Sequence, residues 1–422
     1  MEARLLTQEH LFRRESGRMI AALTRIFGVH NLSLAEDVVQ DAFCRAIEVW
    51  KVRGVPENPA AWLMATAKHR ALDLVRGQGT ARTFAPEVGR FLETEWTLAG
   101  VIDEAFGPNT IRDEQLRMMF SCCHPRLPEE AQLALILNIL CGFGAAEIAS
   151  AFLTGRAGIE KRLARGKKAL AGARVLFDLR GEEFVSRLST VRCALYLLFN
   201  EGYHGASADA AVRVELCQEA MRLTALLREH APAATPTTHA LGALMCLHAA
   251  RLPARIDSAG ELSALEDQDR SKWDPRLVDE GLGLLERSAE GEEVSTFHLE
   301  GMIAAAHASA RSLDETDWRL IVSLYDRLLE IDLSPVVALN RAIAVGQRDG
   351  PDQGLEAIRA IPDRERLSSY PFYPAAMGEL ELRRGHRDAA HQHFHSALRL
   401  ARNDMERRFL EKRLRSCSRP SG

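Results

Sequence analysis

The sequence predicts an all-α protein built from several bodies, and three observations carry that prediction. Apolar residues recur at helical spacing, as at Val39, Phe43, Ile47 and Trp50. Gly and Pro interrupt the helical stretches, as at Gly54 and Pro56 and again at Pro125 and Pro128. Near the end the pattern becomes a helix–turn–helix repeat, with Met377, Gly378, Gly385, Ala390, Phe394 and Ala397 at small and aromatic positions. At 422 residues the chain is long for one domain.

Composition narrows the classes. An apolar fraction of 46% supplies ordinary globular cores, and a net charge of −4 gives no global field towards nucleic acid, so any such affinity is local. The opening MEARLLTQEH lacks the apolar core and cleavage site of a signal peptide. The longest apolar run, Leu133–Cys141, is broken by Asn138 and is too short to span a bilayer. A cytoplasmic location with no membrane partner is therefore expected. The eight cysteines form no CxxC and read as buried free thiols. Cys122-Cys123-His124 and the histidines at 386, 391, 393 and 395 lack partners at metal-ligand spacing, so no metal or other cofactor is expected. No Walker loop, GxSxG, HExxH or dinucleotide fingerprint is present, and an enzyme is not expected.

Residues 5–29 read as an amphipathic helix with Leu11, Ile20, Leu23 and Phe27 inward and Arg13, Arg14, Arg18 and Arg25 outward. The next helix opens with a candidate capping box, Ser33 and Glu36, and carries Asp37 and Asp41 one turn apart on its exposed side. After Gly54 and Pro56, Asn58 is placed to cap a further helix with Pro59 in its first position. That helix holds Trp62, Lys68, His69, Arg70 and Arg76. The ordered run LAEDVVQDAF, a Trp, a Gly/Pro loop, NPAAWL and HRALDLVR resembles region 2 of the extracytoplasmic-function (group IV) sigma factors of bacterial RNA polymerase. The resemblance implies that Glu36, Asp37 and Asp41 dock on the β′ clamp helices. It also implies that Asn58 and Trp62 belong to a loop capturing a −10 base, and that Lys68, Arg70 and Arg76 hold that strand's phosphates. Arg70 has an alternative partner in Asp73 on its own helix.

From about 80 to 109 periodicity weakens around Pro86, Gly89, Gly107 and Pro108, which reads as a linker. It returns at Asp113–Cys122 and Glu129–Leu140. The stretch Gly142–Leu170 then has helix-turn-helix spacing, with a break at Thr154-Gly155 and Ile159, Leu163 and Leu170 on one stripe of the second helix. Between Arg156 and Arg174 seven basic residues face one acid, Glu160, which makes this helix the concentrated basic stripe of the chain. EIASAFLTGRAGIEKRLARGKKAL resembles sigma region 4, which reads the −35 element. By that resemblance Arg156, Glu160, Lys161 and Arg165 face base edges or nearby phosphates, while Arg162, Lys167 and Lys168 position the helix on phosphates. Gly158 and Gly166 depart from the family pattern, each costing up to about 1 kcal/mol relative to Ala in a helix interior.

Beyond residue 181 lies a third, longer body. Asn200, Glu201 and Tyr203 have no nucleophile–base partner and read as a helix end. The polar loop LEDQDRSKWDP could pack Trp273 onto a neighbour. LYLLFNEGY, LEDQDRSKWD, DLSPVVALNRAIAV and the final repeat resemble the sigma subfamily with a C-terminal tetratricopeptide-like extension, whose helix pairs stack into a solenoid.

The resulting expectation has four parts: 1–80 as region 2, 81–112 as linker, 113–176 as the region 4 helix-turn-helix, and 177–422 as a helical-repeat regulatory domain. The resemblance implies an alternative sigma factor that binds core RNA polymerase at the β′ clamp helices and β flap and directs it to promoter DNA. The C-terminal domain would modulate that activity or take a regulatory protein. The competing reading is a helical-repeat adaptor, or an operator-binding regulator acting without polymerase.

Overall fold

The computed structural model describes residues 2–77, 108–152, 154–173, 184–204, 212–257 and 261–418. Among them are α-helices and short 3-10 turns but no β-strand, and Ile256 and Leu262 form only an isolated bridge. The chain divides into two compact units, Met1–Leu198 and Phe199–Gly422.

In the first unit, α1 (Glu2–Phe27), α2 (Leu32–Arg53) and α3 (Pro59–Gly77) pack as a bundle. Aromatic rings fasten it: Phe12 stacks on Phe43 at 4.5 Å, and Trp50 meets Trp62 edge-on at 5.4 Å. Ile20, Leu23 and Phe27 are buried as their spacing predicted. Ile47 is not; it stands 54% exposed, because the buried stripe of α2 runs through Val39, Ala42, Ala46 and Trp50 instead.

The predicted Ser33–Glu36 capping box does not form. Helix α2 begins at Leu32 with Asn31 in the cap position, and the Asn31 amide donates to the Phe27 carbonyl at 3.0 Å. Ser33 therefore lies inside the first turn, and Glu36 is left to find another partner. Gly54 ends the helix at φ 82°, in the left-handed region that glycine enters without strain. At the start of α3 the Asn58 side chain accepts from Ala61 N at 3.0 Å, with Pro59 as first helical residue.

Of the predicted linker, 81–112, residues 81–107 lie outside the described residues. Helix α4 (Pro108–Cys122) starts ahead of the expected Asp113 and packs on α1. Helix α5 (Glu129–Ile139) is buried on nearly every side. Half-buried Asn138, near its end, donates to Phe143 O at 2.7 Å and so closes the turn that follows. Then come α6 (Ala145–Ala151) and α7 (Arg156–Ala173), and α8 (Phe184–His204) crosses into the second unit.

The second unit continues through α9 (Val214–Glu229), α10 (Pro236–Ala249), the short α11 (Leu252–Arg255), α12 (Pro275–Ser288), α13 (Thr296–Ser309) and α14 (Trp318–Ile331). It ends with α15 (Pro335–Arg348), α16 (Pro351–Arg359), α17 (Phe372–Arg383), α18 (Arg387–Leu398) and α19 (Asp404–Ser418). Sequential helices pair, and their starts are punctuated: Thr235, Asp274, Asp317 and Ser334 each accept a backbone N–H as side-chain caps. In the α17–α18 hairpin, Gly385 turns at φ 81°, and Ala390, Phe394 and Ala397 are buried. Arg413 of α19 reaches Glu266 and Asp267, both at 2.8 Å, tying the last helix to the 265–267 turn.

All eight cysteines are free. Cys44 is exposed and Cys193 half-buried, contrary to the expectation of burial throughout; the other six are buried. Glu201 is not merely at a helix end. It forms a buried ion pair with Arg213 at 2.7 Å.

Candidate nucleic-acid and polymerase interface

Helices α6 and α7 make a helix-turn-helix whose inner face is apolar: Ile148, Ala149, Ile159, Leu163 and Leu170 are buried. Gly166 belongs to that inner face. A Cβ there would meet Leu135 Cδ1 of α5 at 2.7 Å, so the glycine permits a close helix–helix approach. A Cβ at Gly158 would meet nothing within 4 Å.

With that face turned inward, the cations of α7 separate into two sets. Lys161, Arg165 and Lys168 are exposed, share one face at spacings of four and three residues, and have no acidic partner among the described residues. The others are engaged. Arg156 pairs with Glu160 at 2.8 Å one turn along, Arg162 with Glu130 of α5 at 2.8 Å, and Lys167 with Glu36 of α2 at 2.5 Å. Glu130, which sequence reasoning passed over, thus draws Arg162 towards α5; proximity across the fold carries no local signature. Arg174 lies outside the described residues.

The acidic face of α2 is similarly divided. Asp37 is exposed, Glu36 is held by Lys167, and Asp41 pairs with Arg70 of α3 at 3.0 Å. Arg70 therefore takes Asp41 rather than the alternative Asp73. Asn58 is exposed at the head of α3, Trp62 is half-buried against Trp50, and Lys68 is half-buried. Arg76 lies on α3, with its side chain outside the described atoms. One more pair fastens the helix-turn-helix to α1: Arg13 bonds Glu147 of α6 at 2.7 Å and lies over the Phe143 ring. Arg13 is consequently turned into the protein, where an outward position was expected.

A helical bundle carrying acids on one helix, followed by a helix-turn-helix with an open cationic stripe, defines a DNA-binding transcription protein. Comparison with known families places it further. The model for Sigma-70 region 2 matches residues 11–80, and that for Sigma-70 region 4 matches 117–170. A family of unknown function (DUF6596) matches 187–289. A curated protein of Rhizobium meliloti (strain 1021), described as uncharacterized, is 36% identical over 398 residues, covering 94% of this chain and 92% of its own. No solved structure gives a significant match.

The chain belongs to the sigma-70 family of RNA polymerase sigma factors, in the ECF-like arrangement of regions 2 and 4 followed by a C-terminal extension. Its partners are core RNA polymerase and promoter DNA, and its role is promoter-specific initiation. Proteins of this kind are non-enzymatic DNA-binding regulators. No described helix is long and apolar enough to cross a membrane.

Proposed function

We propose that the acidic face of α2 docks on the β′ clamp helices of core polymerase, that α3 and the loop before it hold the −10 strand, and that α7 reads the −35 element. The single observation that carries this reading is the sorting of α7. Its apolar and close-packed residues face α5, leaving Lys161, Arg165 and Lys168 as an open stripe of the kind that contacts phosphates and base edges. Arg156 and Glu160 stand exposed at the N-terminal end of the same helix, where base-edge contacts are made in helix-turn-helix proteins. Arg162, Lys167 and Lys168 would position the helix on the backbone, with region 4 also meeting the β flap.

On the other face, Asp37 and Asp41 offer carboxylates to a basic partner, with Glu36 joining them once Lys167 leaves. Such a contact weakens as salt rises. Asn58 and Trp62 would border the captured −10 base, while Lys68, Arg70 and Arg76 hold its strand. The C-terminal helical unit, tetratricopeptide-like in its α17–α18 hairpin, would modulate the initiation activity or receive a regulatory protein.

Run-off transcription with core RNA polymerase tests this, using templates from the region upstream of the protein's own coding sequence. The expected result is a discrete start with the parent chain and none with Asp37→Lys/Asp41→Lys. Duplex DNA protected without polymerase, and no transcript with it, would overturn the reading in favour of an operator binder.

A further inference from the structure

The C-terminal unit contains two arginines that no acid meets among the described residues. The Arg255 guanidinium lies 4.2 Å from the centroid of the Tyr203 ring, with Nη2 3.3 Å from His204 Nδ1. Arg251 lies 5.3 Å from the Trp273 ring, and its Nε donates to Gln268 Oε1 at 3.3 Å. Neither makes an ion pair with a described carboxylate. Arg270, on the same Trp273 ring at 5.1 Å, differs because it donates to the carbonyls of His307 and Ala310 at the C-terminal end of α13 and needs nothing more.

The surroundings are short of acceptors. Tyr203 Oη, Arg255 Nε, Trp273 Nε1 and His248 Nδ1 are all buried with no hydrogen-bond partner among the described residues. The Arg and Trp nitrogens can only donate, and the Tyr hydroxyl is free to donate. His248 stands 5.0 Å from the Tyr203 ring; burial first, and then Arg251 and Arg255, push its pKa down to about 3. At neutral pH it is uncharged, so the positive charge of the group belongs to the arginines. His204 is exposed, and Arg251 and His248 are half-buried, so the group reaches solvent on that side.

Charges drawn out of water are normally paired in proteins, and buried donors normally bonded. Two guanidinium forks among unsatisfied donors are complementary to a ligand with charge near −2 and several acceptor oxygens. We propose that this arginine cluster binds a small oxyanion of the phosphate class, as inorganic phosphate or as a phosphate monoester. A simple carboxylate would neutralise only one of the two arginines. The assignment is independent of the initiation role, since it rests on binding alone.

Calorimetric titration of the full chain with inorganic phosphate, glycerol 3-phosphate and acetate at matched ionic strength tests it. Saturable one-site binding of a phosphate-class ligand is expected, with acetate weaker by about tenfold or more. Tighter binding of glycerol 3-phosphate would identify a monoester as the ligand, and tighter binding of inorganic phosphate the free ion. Arg255→Gln should weaken binding by about tenfold, and Arg255→Lys should not restore it because an ammonium has no fork. Circular dichroism checks that both variants fold; should they not, the comparison of phosphate with acetate on the unaltered chain decides alone. Absence of saturation up to about 10 mM, equal binding of acetate, or undiminished binding by a folded Arg255→Gln chain would overturn the proposal.

Discussion

Glu36 of α2 and Lys167 of α7 form an ion pair at 2.5 Å across 131 residues of chain. The pair joins a carboxylate proposed for polymerase to an ammonium proposed for DNA, so in the free chain each occupies the other. The two side chains are 26% and 32% exposed, and such pairs contribute about 0.2–1 kcal/mol. Separating them is therefore a small energetic step. Glu36→Gln is expected to raise the affinity of the free chain for −35 duplex DNA by about 2–5-fold, measured by fluorescence anisotropy. Lys167→Ala should lower it and reduce the salt slope by about 1. Unchanged affinity in Glu36→Gln would mean that Lys167 does not reach DNA.

The two glycines of α7 should respond in opposite directions to the same substitution. Gly166→Ala drives a methyl into the buried Leu135 side chain and should destabilise the first unit by about 1–3 kcal/mol. Gly158→Ala enters open space and should stabilise the helix by up to about 1 kcal/mol. Urea denaturation followed by circular dichroism reads both; equal shifts would contradict the packing described for α5 and α7.

Acid should weaken the second unit. The pKa of His307 is pushed down to about 3 by burial and then by Arg251 and Arg270, and that of His248 to about 3 by burial and then by Arg251 and Arg255. Depressed folded-state values leave both neutral when folded, whereas the unfolded chain takes up protons from about pH 6.5. Their stabilisation is present above that pH and is lost as pH falls towards 3. Between pH 7 and 4, urea denaturation should show proton uptake on unfolding to which these two histidines contribute about one each, so that it falls by about one in His307→Gln. A flat profile would show that these histidines titrate normally.

The thiols should divide by reactivity. Cys44 is exposed, while burial pushes Cys123, Cys217 and Cys246 up to about 12 and Cys122 well above its ordinary value. At pH 8 a chromogenic disulfide should label Cys44 promptly and leave these four unmodified until the chain unfolds. Raised folded-state values also mean that stability is full below about pH 9 and declines as pH rises towards 12. Rapid labelling of Cys123 or Cys217 in the folded chain would contradict their packing.

Much of the first unit was legible in the sequence because its signals are local. Asn58 capping α3, Pro59 in its first turn and the buried stripe Ile159, Leu163 and Leu170 each depend on residues within two turns. Ser33 misled for the complementary reason: the same residues suit a cap, but the chain turns at Gly28–Asn31 and the helix is already under way. Gly166 read as a weakness in a helix, since nothing in its neighbours announces Leu135 from α5.

By itself the sequence determined the helical class, the position of the helix-turn-helix, the family and the residue types available to DNA and polymerase. These follow from periodicity, caps and ordered motifs, all short-range properties of the chain. Only the tertiary structure decided which charges remain open. Arg13, Arg162, Lys167 and Arg70 are drawn to Glu147, Glu130, Glu36 and Asp41 on other helices, while Lys161, Arg165 and Lys168 stay free. Arg251 and Arg255 carry no signal in their local sequence; the fold alone sets them against Trp273 and Tyr203 without a described acid. A Coulomb partner is chosen by distance in space, and sequence separation does not encode that distance.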